Sequence, residues 1–209
     1  MSGRVYDITP TVSPRLGVWP GDTPLSREVL TDLGKGDTVT LSTIHATCHL
    51  GAHADAPNHY DINGGDIASR ALEFYLGPCQ VIEAPVARGS RVAVADLRQE
   101  VTEDRVLLAT GTVPDTDDWN DDFAGLSVEL VEHLASKCVR TVGIDTPSVD
   151  LITSKDLPAH TAIASHDMAI LEGLILRDVP AGRYELIALP LKLEAFDASP
   201  VRAVLRAYS

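Results

Sequence analysis

The sequence is poor in aromatic residues and in cysteines. Aromatic side chains make up 5% of its 209 residues, and the three cysteines are Cys48, Cys79 and Cys138. Three is an odd number and no C-x-x-C pair occurs, so we expect no disulfide framework, which suits a reducing compartment. Cys79 and Cys138 stand in apolar runs, and we expect both thiols to be buried. Because aromatic residues are scarce, the core is predicted to be aliphatic.

Basic residues are also scarce. Seventeen Lys and Arg oppose thirty Asp and Glu, which gives a formal net charge of −13. An acidic surface repels phosphates and anionic lipid heads, so we expect neither nucleic acid nor a membrane as a partner. No apolar run reaches membrane-spanning length, and residues 1–7 lack the apolar stretch of a signal peptide. We therefore expect a cytoplasmic protein.

The chain shows no repeat, low-complexity tract or Ser/Gly-rich linker, so we expect residues 1–209 to form one domain. Short β-rich apolar runs dominate: 26–30, 38–44, 79–84, 105–109, 141–144, 169–176, 184–191 and 201–205. The clearest helical pattern covers 127–138, with Ser127 as its N-cap, and weaker ones cover 67–75 and 94–100. This irregular mixture predicts a mixed α/β (α+β) domain.

The most informative segment is HLGAHADAPNH, residues 49–59. Four of its side chains can bind a metal or move a proton: His49, His53, Asp55 and His59. Two imidazoles and a carboxylate often bind a catalytic divalent metal, because they leave coordination positions open for water. On a continuous strand His49 and His53 would stand roughly 13 Å apart, too far to share one ion. We therefore expect a bend at Gly51, in a loop that leaves the strand at 38–44.

A carboxylate interrupts a long apolar run, MAILEGLIL, at Glu172. Burial of an unpaired carboxylate is costly, so we expect Glu172 to be paired or bound to a cation. The alternative is a glutamate that faces water from an edge strand. For the segment 49–59 the alternative is histidines that satisfy the core, with Asp55 in a turn. His160 alone says little, and His45 is at most a neighbour of the ligands.

The spacing H-x-G-A-H-x-D-x-P-x-H closely resembles the H-x-G-[TA]-H-x-D-x-P-x-H signature of the cyclase-like metallohydrolase family. Within that family the chain resembles the bacterial kynurenine formamidases, or arylformamidases, in segments 19–22, 51–57, 143–150, 157–160 and 185–191. The similarity runs from the first predicted strand to the last. It implies a cyclase-like fold with a mixed β-sheet or barrel core and few helices. It also implies hydrolysis of N-formyl-L-kynurenine to L-kynurenine and formate, in tryptophan degradation.

The same resemblance implies roles for particular side chains. The family's metal ligands correspond to His49, His53, Asp55, His160 and Glu172. Together they would hold two divalent ions per subunit, zinc in the first instance and manganese as the alternative. His59 would pass a proton to the departing aryl amine, because an imidazole with a pKa near ~6.5 can both accept and donate it. Trp19 would contact the aromatic ring of the substrate, unless it is a tryptophan packed beside its Pro-Gly turn.

Three other functions compete with this interpretation. The sequence contains no G-x-S-x-G motif, which disfavours a serine-type formamidase. A cyclic-amide hydrolase such as isatin hydrolase shares the signature, and a shared fold does not determine the substrate. A catalytically silent metal- or ligand-binding protein would not need a free histidine such as His59 beside the metal. We expect a small aryl formamide as the substrate, and the resemblance suggests a homodimer.

Overall fold

The computed structural model describes residues 3–208. Its strands are β1 (Val5–Asp7), β2 (Ser26–Thr31), β3 (Leu41–His45), β4 (His53–Asp55), β5 (Leu76–Glu83), β6 (Arg91–Val92), β7 (Arg105–Ala109), β8 (Gly125–Leu126), β9 (Thr141–Ile144), β10 (Ala169–Glu172), β11 (Gly182–Ile187), β12 (Ala198–Pro200) and β13 (Val204–Ala207). The α-helices are α1 (Val128–Ser136) and α2 (Pro158–Ser165). No helix between residues 3 and 208 has the length and apolar character needed to cross a membrane.

Within this part of the chain, nine strands join one mixed sheet that curls into a half-barrel. Their order across the sheet is β1-β13-β11-β5-β7-β9-β10-β4-β12. The central strands β5, β7, β9 and β10 run parallel, and antiparallel pairs flank them on both sides. The prediction of a mixed α/β fold with few helices is confirmed.

Both faces of the sheet are apolar. Side chains alternate between the two faces along a strand, and the central strands carry apolar residues at both sets of positions. On β7, Leu107 belongs to one core cluster, while Val106 and Leu108 belong to the other. Leu130 of α1 and Ile163 of α2 pack into the second cluster. The helices therefore cover one face, and the curled strands enclose the other. Complete burial of one such side chain contributes about 1.5–3 kcal/mol.

Helix α1 agrees with its prediction at the start and differs at the end. The hydroxyl of Ser127 accepts a hydrogen bond from the backbone N–H of Leu130 (3.1 Å), which makes Ser127 the N-cap. The helix ends at Ser136, and Cys138 follows in the left-handed region (φ 62°). Cys138 is therefore exposed, and the prediction of a buried thiol there is wrong. Cys79, on the central strand β5, is buried as predicted.

The two weaker helical predictions, at 67–75 and 94–100, are wrong. The chain forms only single 3₁₀ turns there: Ile67–Ser69, Leu72–Phe74 and Val94–Asp96. Arg70 (ψ 134°) and Ala71 (ψ 136°) are extended and separate the first two turns, so no continuous helix can form. The sequence patterns also miss α2, which is short and begins after Leu157 in the left-handed region (φ 44°).

Candidate metal centre

The segment 49–59 bends where the sequence predicts it. Gly51 has φ +60°, a conformation that glycine adopts without strain. The prediction of a loop throughout is wrong, because His53–Asp55 form strand β4 between β10 and β12. A 3₁₀ turn follows at Pro57–His59. The bend lets His49 turn back toward strand β4, which carries His53 and Asp55.

Strand pairing brings the second half of the chain to the same place. Glu172 on β10 lies directly opposite His53 on β4, and Glu172 Oε2 is 3.2 Å from His53 Nε2. Since β10 lies between β9 and β4, Glu172 is not on an edge strand. It is buried, which excludes the water-facing alternative. Helix α2 carries His160, whose Nε2 lies 3.8 Å from Glu172 Oε1.

Asp55 lies at the centre of this cluster. Its Oδ1 is 3.1 Å from His49 Nδ1 and 3.4 Å from His53 Nε2. Its Oδ2 is 3.6 Å from His160 Nε2. The five side chains that the resemblance implies as ligands therefore lie together, around one carboxylate whose two oxygens face different histidines.

Several polar atoms in the cluster are buried without a hydrogen-bond partner among the described residues. They include His53 Nε2 and both carboxylate oxygens of Asp55, whose exposed fraction is 1%. An unsatisfied buried carboxylate is costly unless a cation or a donor neutralises it. Ligand atoms of His53, Asp55 and Glu172 lie within 4.8 Å of one another. The donor set and its unpaired atoms fit a divalent cation.

Hydrogen bonds outside the cluster orient two of the histidines. The Nδ1–H of His53 donates to the carbonyl of Gly51 (2.8 Å), and that of His160 donates to Asp150 Oδ2 (2.9 Å). Each bond leaves Nε2 directed at the cluster. Such outer partners fix the tautomer and the orientation of metal-binding histidines. Asp150 also accepts the backbone N–H of His160 (3.1 Å), so it anchors the first turn of α2.

The carboxylates favour charge on the imidazoles around them. Burial alone lowers the pKa of His53, but the adjacent carboxylates of Asp55 and Glu172 outweigh it and raise the pKa to about 9. For His160, burial is again outweighed, by the hydrogen bond to Asp150 and the nearby carboxylate of Asp55, and the pKa rises to about 10. Burial raises the pKa of Asp55, yet the surrounding histidines hold it well below its usual value. The same negative charge attracts a metal cation.

His59 lies beside the cluster, and its ring centroid is 4.3 Å from that of His49. One third of its side chain is exposed, whereas His53 and His160 are buried. Its Nδ1 lies 3.4 Å from Asp197 Oδ2. His59 is therefore the histidine of the signature that reaches the solvent-accessible side of the site.

Asp197 is a site residue that the sequence interpretation missed. Its Oδ2 is 3.0 Å from His49 Nε2, and its Oδ1 accepts a hydrogen bond from the Cys48 thiol (3.3 Å). Burial raises its pKa, but the bond to His49 dominates and lowers it to about 2. No local pattern marks Asp197. The pairing of β12 with β4 alone brings it beside His49.

A cavity of about 310 Å³ opens above the cluster and falls within the usual size range of small-molecule sites. The predicted ligands His49, His53, His160 and Glu172 line it, as does His59. Its remaining wall is largely apolar and aromatic. The cavity therefore offers an apolar surface directly beside the polar cluster.

Trp19 stands at the rim of this cavity, with 38% of its surface exposed. Its ring meets Trp119 edge to face (centroids 5.8 Å apart) and Phe123 in the same manner (6.1 Å). The sequence interpretation missed Trp119, although aromatic residues are few enough to be inspected one by one. Asp145 accepts backbone N–H bonds from Thr110 (3.0 Å), which fixes the start of the loop that carries Trp119.

His45 lies outside the site. It occupies β3, is exposed, and its Nε2 is 3.2 Å from Glu28 Oε2 on the paired strand. His45 is therefore not a neighbour of the predicted ligands.

The close approach of two loops generates a first prediction. Gly173 has φ +65°, and a Cβ there would overlap the carbonyl oxygen of Gly51 at the bend before β4. We expect Gly173→Ala to displace the bend and lower metal affinity by roughly 10–100-fold, the range seen when outer partners of metal ligands are lost. Metal titration followed by elemental analysis measures this.

Gly36→Ala is the matched control for backbone strain, because Gly36 has φ +93° and open space around its Cβ position. It should retain wild-type metal affinity. Equal losses in the two variants would show that strain at positive φ, rather than the contact with Gly51, is responsible.

Comparison with known proteins places this geometry in a family. The model of the family described as "Putative cyclase" matches residues 6–151. A curated kynurenine formamidase from Maricaulis maris (strain MCS10) is 46% identical over 205 residues, which cover 97% of this chain and 98% of that protein. A solved structure described as a "Potential Metal-Dependent Hydrolase With Cyclase Activity" superposes with a TM-score of 0.86 at 28% identity, over 99% of this chain and 98% of its own.

A second solved structure, an isatin hydrolase bound to the product analogue thioisatinate, has a TM-score of 0.82 at 20% identity. The match covers 100% of this chain and 94% of that one, and it bears on the fold alone. The family model and the relative at 46% identity carry the assignment. The chain belongs to the cyclase family.

Proposed function

We propose that this protein is a kynurenine formamidase: a metal-dependent arylformamidase that hydrolyses N-formyl-L-kynurenine to L-kynurenine and formate in tryptophan degradation. The observation that carries the proposal is a buried cluster of unpartnered ligand atoms at the floor of an aromatic-walled cavity. The full-length likeness to a kynurenine formamidase supports the choice of reaction and substrate. An aryl formamide consists of an aromatic ring and a formamide group. The aromatic wall of the cavity suits the ring, and the polar cluster at its floor suits the formamide.

The ligands in this proposal are His49, His53, Asp55, His160 and Glu172. They would hold two divalent ions, zinc by preference, since imidazole and carboxylate donors suit zinc and also accept manganese. Asp55 faces His49 and His53 with one oxygen and His160 with the other, so it would act as a ligand beside all three histidines. A bound divalent cation supplies Lewis acidity, which polarises a carbonyl and makes water more acidic.

His59 is the proton carrier in this mechanism. Asp197 lies near its Nδ1, which leaves Nε2 for exchange with the reacting groups. When water adds to the formyl carbon, the C–N bond breaks and the aryl nitrogen must gain a proton to leave as a neutral amine. An imidazole can accept the proton from water and donate it to that nitrogen.

Trp19 is the substrate-binding residue in this mechanism. Its exposed ring stands at the cavity rim, and the ring plane makes an angle of 74° with that of Trp119. A flat aryl group can stack on one indole face and meet the edge of the other, and each such contact contributes about 0.5–1.5 kcal/mol beyond area burial. These contacts would hold the ring while the formamide group reaches the floor of the cavity.

We also propose that residues 1–209 act as one hydrolase domain, in a cytoplasmic homodimer. A single mixed sheet spans the described residues from β1 near one end to β13 near the other, which supports one domain. Cys48, Cys79 and Cys138 are unpaired, as a reducing compartment would keep them.

A direct assay tests the proposed reaction against the two remaining alternatives. Formate release from N-formyl-L-kynurenine is compared with ring opening of isatin, with protein of known metal content. We expect turnover of the formamide at least tenfold above that of isatin. Preferential turnover of isatin would favour the cyclic-amide hydrolase. Full metal loading with turnover of neither substrate would favour a silent binding protein.

A second prediction concerns the centre of the cluster. Asp55→Ala should remove most of the bound metal and most of the activity, because Asp55 contacts His49, His53 and His160. Elemental analysis and circular dichroism measure metal content and fold. Since the variant could also disturb packing, Asp55→Asn serves as the isosteric second variant. Full metal content in a folded Asp55→Asn protein would contradict the ligand assignment.

A third prediction separates proton transfer from metal binding. His59→Ala should keep its metal and lose roughly 10²–10⁴-fold in kcat, the usual contribution of a positioned acid or base. His133→Ala on α1 is the matched control, because His133 belongs to no ligand cluster and does not line the cavity, and it should keep both metal and kcat. Loss of metal from His59→Ala would make His59 a ligand and refute its role as proton carrier.

A fourth prediction concerns the aromatic wall. Trp19→Ala should raise KM for the aryl formamide and leave KM for a small aliphatic formamide nearly unchanged, because the latter lacks a ring to contact the indole. The melting temperature is measured alongside. Equal losses on the two substrates, with a lower melting temperature, would show that Trp19 serves packing instead.

A further inference from the structure

A second group of donor atoms lies on the Nε2 side of His49. The Cys48 thiol donates a hydrogen bond to Asp197 Oδ1 (3.3 Å), and Asp197 Oδ2 lies 3.0 Å from His49 Nε2. Ligand atoms of these three residues lie within 4.8 Å of one another. The ligand atoms of one tetrahedral zinc ion stand roughly 3.3–3.8 Å apart, given bonds of ~2.0–2.3 Å. The three side chains therefore need only small rotations to bind one ion.

Backbone contacts hold these three residues in place. The carbonyl of Asp197 accepts a hydrogen bond from the N–H of Ala56 (2.8 Å), directly after β4. The backbone N–H of His49 donates to the hydroxyl of Thr47 (3.2 Å), which fixes the turn that carries Cys48. Groups that are already ordered lose little conformational freedom when a ligand binds. The donors are therefore in position before an ion arrives.

The thiol distinguishes this group chemically from the ligands at the cavity floor. The five ligands proposed there offer imidazole and carboxylate donors. A thiolate is a soft donor and selects softer ions, such as zinc or cadmium. Cys48 is half-buried and the side chain of Asp197 is 45% exposed, so an ion can reach both from solvent. The group therefore suits a soft divalent cation taken up from solution.

We propose that Cys48, His49 Nε2 and Asp197 form an outer site for a soft divalent cation, and that an ion bound there inhibits the enzyme. His49 Nδ1 lies 3.1 Å from Asp55 Oδ1, so the two ring nitrogens face different carboxylates. A neutral imidazole keeps a proton on one nitrogen, so an ion on Nε2 competes with an ion on Nδ1 for the same ring. The outer ion would also engage Asp197, whose Oδ2 lies 3.4 Å from His59 Nδ1. Occupation of the outer site therefore disturbs a floor ligand and the proton carrier together.

Cadmium binding to the metal-loaded protein tests the outer site independently of the reaction. The floor ligands contain no sulfur, so the ultraviolet charge-transfer absorption of a cadmium–thiolate bond measures binding to cysteine alone. Cys48→Ser should weaken this binding at least about 100-fold, because a hydroxyl replaces the thiolate. Cys138→Ser is the matched control: Cys138 is an exposed thiol outside the group, and its variant should bind cadmium as the wild type does.

Two further variants keep the site falsifiable. Asp197→Asn should weaken cadmium binding at least about tenfold, because a neutral amide replaces the carboxylate. Cys48→Ala should give the same loss as Cys48→Ser, and circular dichroism establishes that each variant is folded. A wild type without thiolate absorption at micromolar cadmium would overturn the site, as would wild-type affinity in a folded Cys48→Ser or Asp197→Asn protein.

A separate assay measures the inhibition, which rests on the formamidase reaction proposed above. Excess zinc should lower formate release from N-formyl-L-kynurenine at least about fivefold in the wild type and in Cys138→Ser, and less than about twofold in Cys48→Ser. Equal inhibition of the wild type and Cys48→Ser would overturn the inhibitory role. Intact cadmium–thiolate binding in a protein that releases no formate would instead refute the proposed reaction and support the outer site.

Discussion

The buried carboxylate of Asp55 is the constraint on which the site depends. Among residues 3–208 neither of its oxygens has a hydrogen-bond donor, and its neighbours in space are His49, His53 and His160. Negative charge without a partner is tolerated in a protein interior only where other gains offset the desolvation cost. Here three imidazoles supply part of those gains, and the remaining negative charge of Asp55 and Glu172 would attract a cation. Packing, strand pairing and the position of α2 all act to hold this arrangement.

The sheet makes the floor of the site rigid. His53 and Asp55 belong to β4 and Glu172 to β10, so the backbone of these residues is held by a hydrogen-bonded ladder. His160 is fixed in the first turn of α2 through Asp150. Sites supported by strands and helices hold their geometry better than sites built on loops, and such precision suits a constellation of ligands.

The wall of the cavity has a different origin. Trp19 and Trp119 lie on loops, and their edge-to-face contact joins segments from two distant parts of the chain. Loops tolerate sequence change more readily than the strands they connect. One fold can therefore accept different substrates through changes in such a wall. This is why a shared fold with an isatin hydrolase does not decide the substrate.

The sequence by itself determined the bend at Gly51, the buried state of Glu172 and the N-cap of α1, because glycine spacing, apolar flanks and capping are local signals. The tertiary structure alone decided that Asp197 meets His49 and that Trp119 meets Trp19. Each of those contacts joins positions that only strand pairing or loop packing brings together, so no local pattern contains them.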